Sequence, residues 1–169
     1  MNNRNIILQK GFSLIEIMVT VAILGILSAI ALPSYTESVK KGKRSDAKVE
    51  LLRLAQMQES YFVQNLSYAK DLDTLGFGAG VTQIISEKGL YKITLGGLAP
   101  AGCGTVATPC TAYEFSAVPV VGEAQEGDTK CSGFRIDNIS RKWAIGTGST
   151  AYPAGAPSTA QKDKAKYCW

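Results

Sequence analysis

From Phe12 to Leu32 the chain is apolar at all but five positions: Ser13, Glu16, Thr20, Gly25 and Ser28. Only Glu16 among them carries a charge. At a helical rise of about 1.5 Å per residue, such a run is roughly 30 Å long, the thickness of a bilayer's hydrocarbon core. The pattern predicts a membrane-spanning helix over residues 12–32. Pro33 follows and is expected to kink the helix by removing one backbone donor. Four cations then crowd together at Lys40, Lys41, Lys43 and Arg44. Beyond them a helical stripe runs through Ala47, Leu51, Leu54, Ala55, Gln58 and Phe62, with Lys48, Glu50, Arg53 and Glu59 on the remaining faces. The spacing predicts one long helix ending near Asn65, its first half in lipid and its second half packed through one stripe.

After about Ser67 the helical period stops. Glycines at 76, 78, 80, 96 and 97 punctuate short apolar runs. Strands are predicted over 90–95, 113–121, 133–137 and 142–145, the last after a turn at Asn138 to Arg141. Short links between them imply an antiparallel meander on the helix, hence an α+β fold. Gly146 to Pro157, rich in Gly, Ala, Ser, Thr and Pro, reads as loop.

The 169 residues are 46% hydrophobic and 19% charged, a balance that excludes overall disorder. The net charge of +4 is too small to mark a nucleic-acid binder without a concentrated patch. Histidine is absent, which removes Ser-His-Asp and Cys-His catalysis and every His-bearing metal site. There is no phosphate-binding glycine loop, nucleophile elbow or pair of carboxylates framing a pocket. Trp143, Tyr91, Phe115 and Phe134 read as core or sheet-face residues. Asp71 with Asp73, and Glu123, Glu126 and Asp128, are weighed as Ca²⁺ ligands and read instead as solvated carboxylates. The expectation is a non-enzyme without cofactor or metal.

Four cysteines, Cys103, Cys110, Cys131 and Cys168, all follow the apolar run and allow three pairings. The expected pairing is Cys103–Cys110, a local loop containing Pro109, with Cys131–Cys168 tying the tail to a strand edge. A four-thiolate zinc site lacks the required two-to-four-residue gaps. Disulfides imply an oxidising compartment.

The stretch Met1 to Gly11 carries Arg4 and Lys10 and no acid, so the positive-inside rule keeps it cytoplasmic and sends the chain beyond Leu32 outward. A removable secretory signal with Ser28-Ala29-Ile30-Ala31 as cleavage site is the plainer alternative. Glu16 argues against it, because a carboxylate deep in lipid costs on the order of 2.5–3.5 kcal/mol. Cutting between Gly11 and Phe12 would leave a new amine on Phe12, one helical turn from Glu16. Amine and carboxylate can neutralise each other at low dielectric, within one chain or between neighbours. Between neighbours the pair becomes a register mark for assembly.

The run Gly11-Phe12-Ser13-Leu14-Ile15-Glu16, continuing through the apolar helix to Pro33, resembles the type IV prepilin family, pilins and type II secretion pseudopilins together. The strong match covers about residues 10–35. The resemblance implies a leader peptide over 1–11, a helix over 12–65 and a globular antiparallel β head over 66–169. It implies cleavage by a prepilin peptidase after Gly11, N-methylation of Phe12, and a role for Glu16 in subunit assembly. Cys131 and Cys168 look like the cysteine-bounded C-terminal loop of many pilins. Glu59-Ser60-Tyr61-Phe62, with Tyr68 and Leu75-Gly76, looks like the helix end of minor pilins of the PilE type. Many major pilins have a second helix proline where this chain has Arg53, which favours a minor subunit.

The implied partners are other pilin subunits, the prepilin peptidase, the inner-membrane pilus assembly machinery, and membrane lipid before assembly. The implied location is the bacterial inner membrane, with the head in the periplasm, and then the extracellular filament. A major pilin and a pseudopilin are the alternatives. Lys40, Lys41, Lys43 and Arg44 are a candidate basic patch for DNA or phospholipid headgroups, although no interleaved aromatics accompany them. A solvated or filament-contact face is the plainer reading of that patch, and DNA has no other support.

Overall fold

The computed structural model describes residues 11–145 and 166–169. The leader to Lys10 and the loop expected at Gly146 to Pro157 lie outside the described residues. The chain divides into two compact units, Met1–Val39 and Lys40–Trp169. A long helix, α1, covers Leu14–Asn65 and contains Pro33. It starts where the pattern predicts: the Ser13 carbonyl accepts the amides of Glu16 (3.1 Å) and Ile17 (3.2 Å). Ser13-Leu14-Ile15-Glu16 has the spacing of a capping box, and an acid in the first turn suits the positive end of the helix dipole.

In the first unit every side chain from Gly11 to Thr36 is exposed, apolar ones included. The segment is long and apolar enough to cross a membrane. Its hydroxyls are turned back on the helix: Thr20 Oγ1 donates to the Ile17 carbonyl (2.9 Å) and Ser28 Oγ to that of Leu24 (2.7 Å). These two hydroxyls thereby have a partner that hydrocarbon cannot supply.

In the second unit, strands β1 (Ile84–Ile85), β2 (Tyr91–Ala99), β3 (Ala112–Pro119), β4 (Gly133–Asp137) and β5 (Lys142–Ile145) form one antiparallel meander in chain order. Alternation puts Tyr91 and Ile93, Tyr113, Phe115 and Ala117, and Phe134 and Ile136 in the buried cluster with Ala47, Leu51 and Leu54 of α1. The helical stripe and one sheet face therefore make the core, as the α+β reading requires. Both disulfides have the expected pairing, Cys103–Cys110 and Cys131–Cys168.

Three details differ from expectation. β1 is an additional two-residue strand that no pattern announced. β2 runs on through Gly96-Gly97, read as punctuation, because the pair is absorbed in a register shift against β3. Gly97 has φ +60° and lies so close to Glu114 that a Cβ there would sit 2.7 Å from Glu114 Cβ, so both its backbone and its space require glycine. Glu50, assigned to an open face, is buried, and Arg53 pairs with its carboxylate.

Candidate functional site

At the N-terminal site, Gly11 and Phe12 precede the first helical residue and are exposed. A Cβ built on Gly11 meets nothing within 4 Å. Nothing in this chain's own packing therefore demands glycine there. Phe12 is 79% exposed, and Glu16 follows it in the first turn of α1.

The basic patch needs correction. Lys40 Nζ donates to the Gly127 carbonyl at 2.8 Å. Arg44 is buried, and its guanidinium grips Asp128 through Nε to Oδ2 (2.6 Å) and Nη2 to Oδ1 (3.0 Å). Burial alone would push the Asp128 carboxyl up. Hydrogen bonds from Arg44 and the amides of Cys131 and Lys130, with the Arg44 charge, outweigh it and hold the group below its ordinary value. Gln125 Nε2 donates to the Tyr91 hydroxyl at 2.8 Å, extending the network into the core. Burial pushes that phenol up to about 12. Arg44 is thus a strut between helix and β3–β4 loop, and Asp128 is not available as a Ca²⁺ ligand. Glu126 likewise accepts the Gly122 amide (2.8 Å) and Asp71 that of Thr74 (2.8 Å), and no group of three metal-ligating side chains occurs among the described residues.

The aromatics missing from the sequence of the patch arrive from the far end of the chain. Lys41 Nζ lies 5.4 Å from the centre of the Tyr167 ring, and the Arg44 guanidinium 5.7 Å from it. Lys48 Nζ donates to the Trp169 backbone oxygen at 3.0 Å, and Lys142 Nζ lies 5.1 Å from the Trp169 ring. The indole is fixed by a 3.0 Å hydrogen bond to the Trp143 carbonyl and by edge packing on Phe134. Burial, then the charges of Arg44 and Lys142, lower the pKa of Lys48. Sequence reasoning missed this cluster because Tyr167 and Trp169 reach the helix through the Cys131–Cys168 bridge.

At the other end of α1, Gln58 is fully buried and pairs with the Ala69 backbone twice, donating to its carbonyl (3.1 Å) and accepting its amide (2.8 Å). Glu59 accepts the hydroxyls of Tyr68 (3.2 Å) and Tyr113 (3.3 Å). Ser67 Oγ accepts the Cys110 amide (2.8 Å), joining the first disulfide loop to the α1–β1 connection. A cleft of about 410 Å³ lies beside this junction, lined by Tyr61, Lys70, Thr105 and Val106 among others. On the opposite sheet face Glu114 pairs with Arg135, and Trp143 lies between Arg135 (5.6 Å) and Arg141 (5.4 Å). Trp143 is buried, but on that face rather than in the helix-facing core.

Comparison with known proteins supplies independent findings. Residues 33–135 match the family described as "Type IV minor pilin ComP, DNA uptake sequence receptor", and residues 8–32 match the prokaryotic N-terminal methylation motif. The chain is 41% identical over 69 residues to the type IV major pilin protein PilA of Myxococcus xanthus, covering 41% of this chain and 31% of that one. It is 40% identical over 88 residues to the type IV major pilin protein PilE of Neisseria gonorrhoeae, covering 50% and 48%. The matches thus span less than half of these curated relatives, 31% of one and 48% of the other. A solved type IV pilin from Shewanella oneidensis aligns with TM-score 0.40 and 18% identity, over 66% of this chain and 94% of that one.

Proposed function

The chain belongs to the type IV pilin family, and from that premise we propose that it is made as a prepilin and assembled as a minor subunit of a type IV pilus. The family is structural, and the chemistry of this chain fits a building block. In this reading a prepilin peptidase removes residues 1–11 after Gly11 and methylates Phe12. Residues 12–32 then hold the subunit in the inner membrane with the head in the periplasm, until the assembly machinery moves it into the filament. Glu16 is the assembly residue. An unpaired carboxylate in lipid costs on the order of 2.5–3.5 kcal/mol, and the Phe12 amine of a neighbour at the same depth removes that cost.

The observation that carries the minor-subunit reading is the match of the ComP minor-pilin family to residues 33–135. The named relatives that are major pilins match over half the chain or less. Quantifying the protein in sheared filaments tests it: a trace band supports a minor subunit, whereas a dominant band makes it the major one. Loss of pili with secretion intact in a deletion strain separates a pilin from a pseudopilin.

A second reading, DNA uptake, rests on the words "DNA uptake sequence receptor" in that family's description. Binding of labelled duplex by the full chain, with a preference among sequences that survives added salt, would support it. Binding that vanishes uniformly with salt would reduce it to non-specific charge.

A further inference from the structure

We propose that Lys41 and Lys142, with Tyr167 and Trp169 between them, form a binding surface for anionic phospholipid headgroups, used while the subunit is held in the membrane. This rests on the membrane-spanning reading of residues 12–32. Lys41 and Lys142 are both exposed, and each ammonium lies against the face of an aromatic ring, Tyr167 at 5.4 Å and Trp169 at 5.1 Å. Behind them stand Arg44 and Lys48; burial first, and then the charges of Arg44 and Lys142, depress the pKa of Lys48. The Arg44 charge is answered by Asp128, while Lys48 donates to a backbone oxygen. Gathering like charges costs free energy that a phosphate at the exposed pair would offset.

Three observations favour a lipid headgroup over other anions. Lys41 follows Leu32 by nine residues, so even fully extended chain keeps it within ~32 Å of the end of the apolar run. A membrane that holds residues 12–32 therefore always presents headgroups within reach. The surface also combines Lys with Tyr and Trp, side chains with an apolar body and a polar end that suit the boundary between lipid and water. Finally, the exposed cations seated on these two rings among the described residues are Lys41 and Lys142, a compact pair, whereas duplex DNA is gripped through about 6–10 phosphate contacts along a track.

The test uses the full-length chain in nanodiscs of phosphatidylcholine, with or without added phosphatidylglycerol, each carrying a trace of headgroup-spin-labelled phospholipid. Tryptophan fluorescence reports the contact, since Trp169 is half-buried beside Lys142 while Trp143 is only 2% exposed. The proposal predicts stronger quenching in the anionic discs. High salt should abolish the difference, and K41Q/K142Q should lose more than about half of it, given the attraction each surface cation contributes. Lys88→Gln, an exposed lysine outside the cluster, should keep it. Equal quenching in the two kinds of disc, or a difference untouched by K41Q/K142Q, overturns the proposal and leaves the membrane reading standing. A chain that enters neither kind of disc overturns both. A fluorescence change produced by duplex DNA in neutral discs, with no dependence on phosphatidylglycerol, would assign the surface to DNA and reject the lipid.

Discussion

Arg44 and Asp128, 84 residues apart in the chain, form a bidentate ion pair with each side chain 1% exposed. The pair fixes the β3–β4 loop to the helix, and the same loop carries Cys131 and hence the C-terminal Tyr167-Cys168-Trp169. Removing one partner strands a buried charge. Arg44→Met or Asp128→Asn should each destabilise the head by about 3–5 kcal/mol, while R44M/D128L should recover much of the loss. Denaturant unfolding of the three variants checks this.

The same carboxylate sets an acid limit. Its folded pKa lies below the ordinary 3.8, so its contribution is fully present above that value and is lost as pH falls through the folded one. Stability measured from pH 6 to pH 2 should fall steeply below about 4. In Asp128→Asn that part of the slope should disappear.

Gln58 closes the α1–β1 connection by taking both hydrogen bonds of the Ala69 backbone. Gln58→Leu removes both partners from buried backbone groups, at about 1–3 kcal/mol each. Hydrogen exchange should accelerate at the Ala69 amide and in its neighbours, with little change at Tyr91 or Phe115.

The two disulfides should not be equivalent. Cys131–Cys168 has a sequence separation of 37 and Cys103–Cys110 one of 7. The chain-entropy account makes C131S/C168S the more costly double variant by about 1.5 kcal/mol. Losing the larger bridge should also free Tyr167 and Trp169 from the helix, visible as a red shift of tryptophan emission.

Much of this architecture is legible in the sequence, because periodicity reports burial directly. The helix bounds, four of the five described strands and the local Cys103–Cys110 loop follow from spacing. The rest depends on distant partners. Lys40 to Arg44 reads as one solvated patch because nothing near Arg44 reveals Asp128. The aromatics of the patch are invisible for the same reason, since Tyr167 and Trp169 meet Lys41 and Lys142 only after the chain folds. Gly96-Gly97 reads as a strand end because a glycine bulge and a break have the same composition, and Ile84–Ile85 is too short for any period. The motif at Gly11 to Glu16 is legible for the opposite reason: the role proposed for it lies in chemistry between molecules, and the folded chain leaves it exposed.

Glycine at position 11 is unconstrained by the fold, which separates processing from stability. Gly11→Val should leave an uncut precursor whose head unfolds at the wild-type temperature. Immunoblotting for precursor length together with thermal unfolding checks both halves. Glu16→Val should enter the membrane readily yet be scarce in sheared filaments, because its neighbour's amine has lost its partner.

The most direct measurement is N-terminal sequencing and intact mass of the protein recovered from filaments. Removal of residues 1–11 from 169 leaves 158. The account predicts a chain beginning at Phe12, one methyl group heavier than its sequence and lighter by four hydrogens for two disulfides. A protein that still begins at Met1, or one cut after Ala31 as a secretory signal, would contradict it.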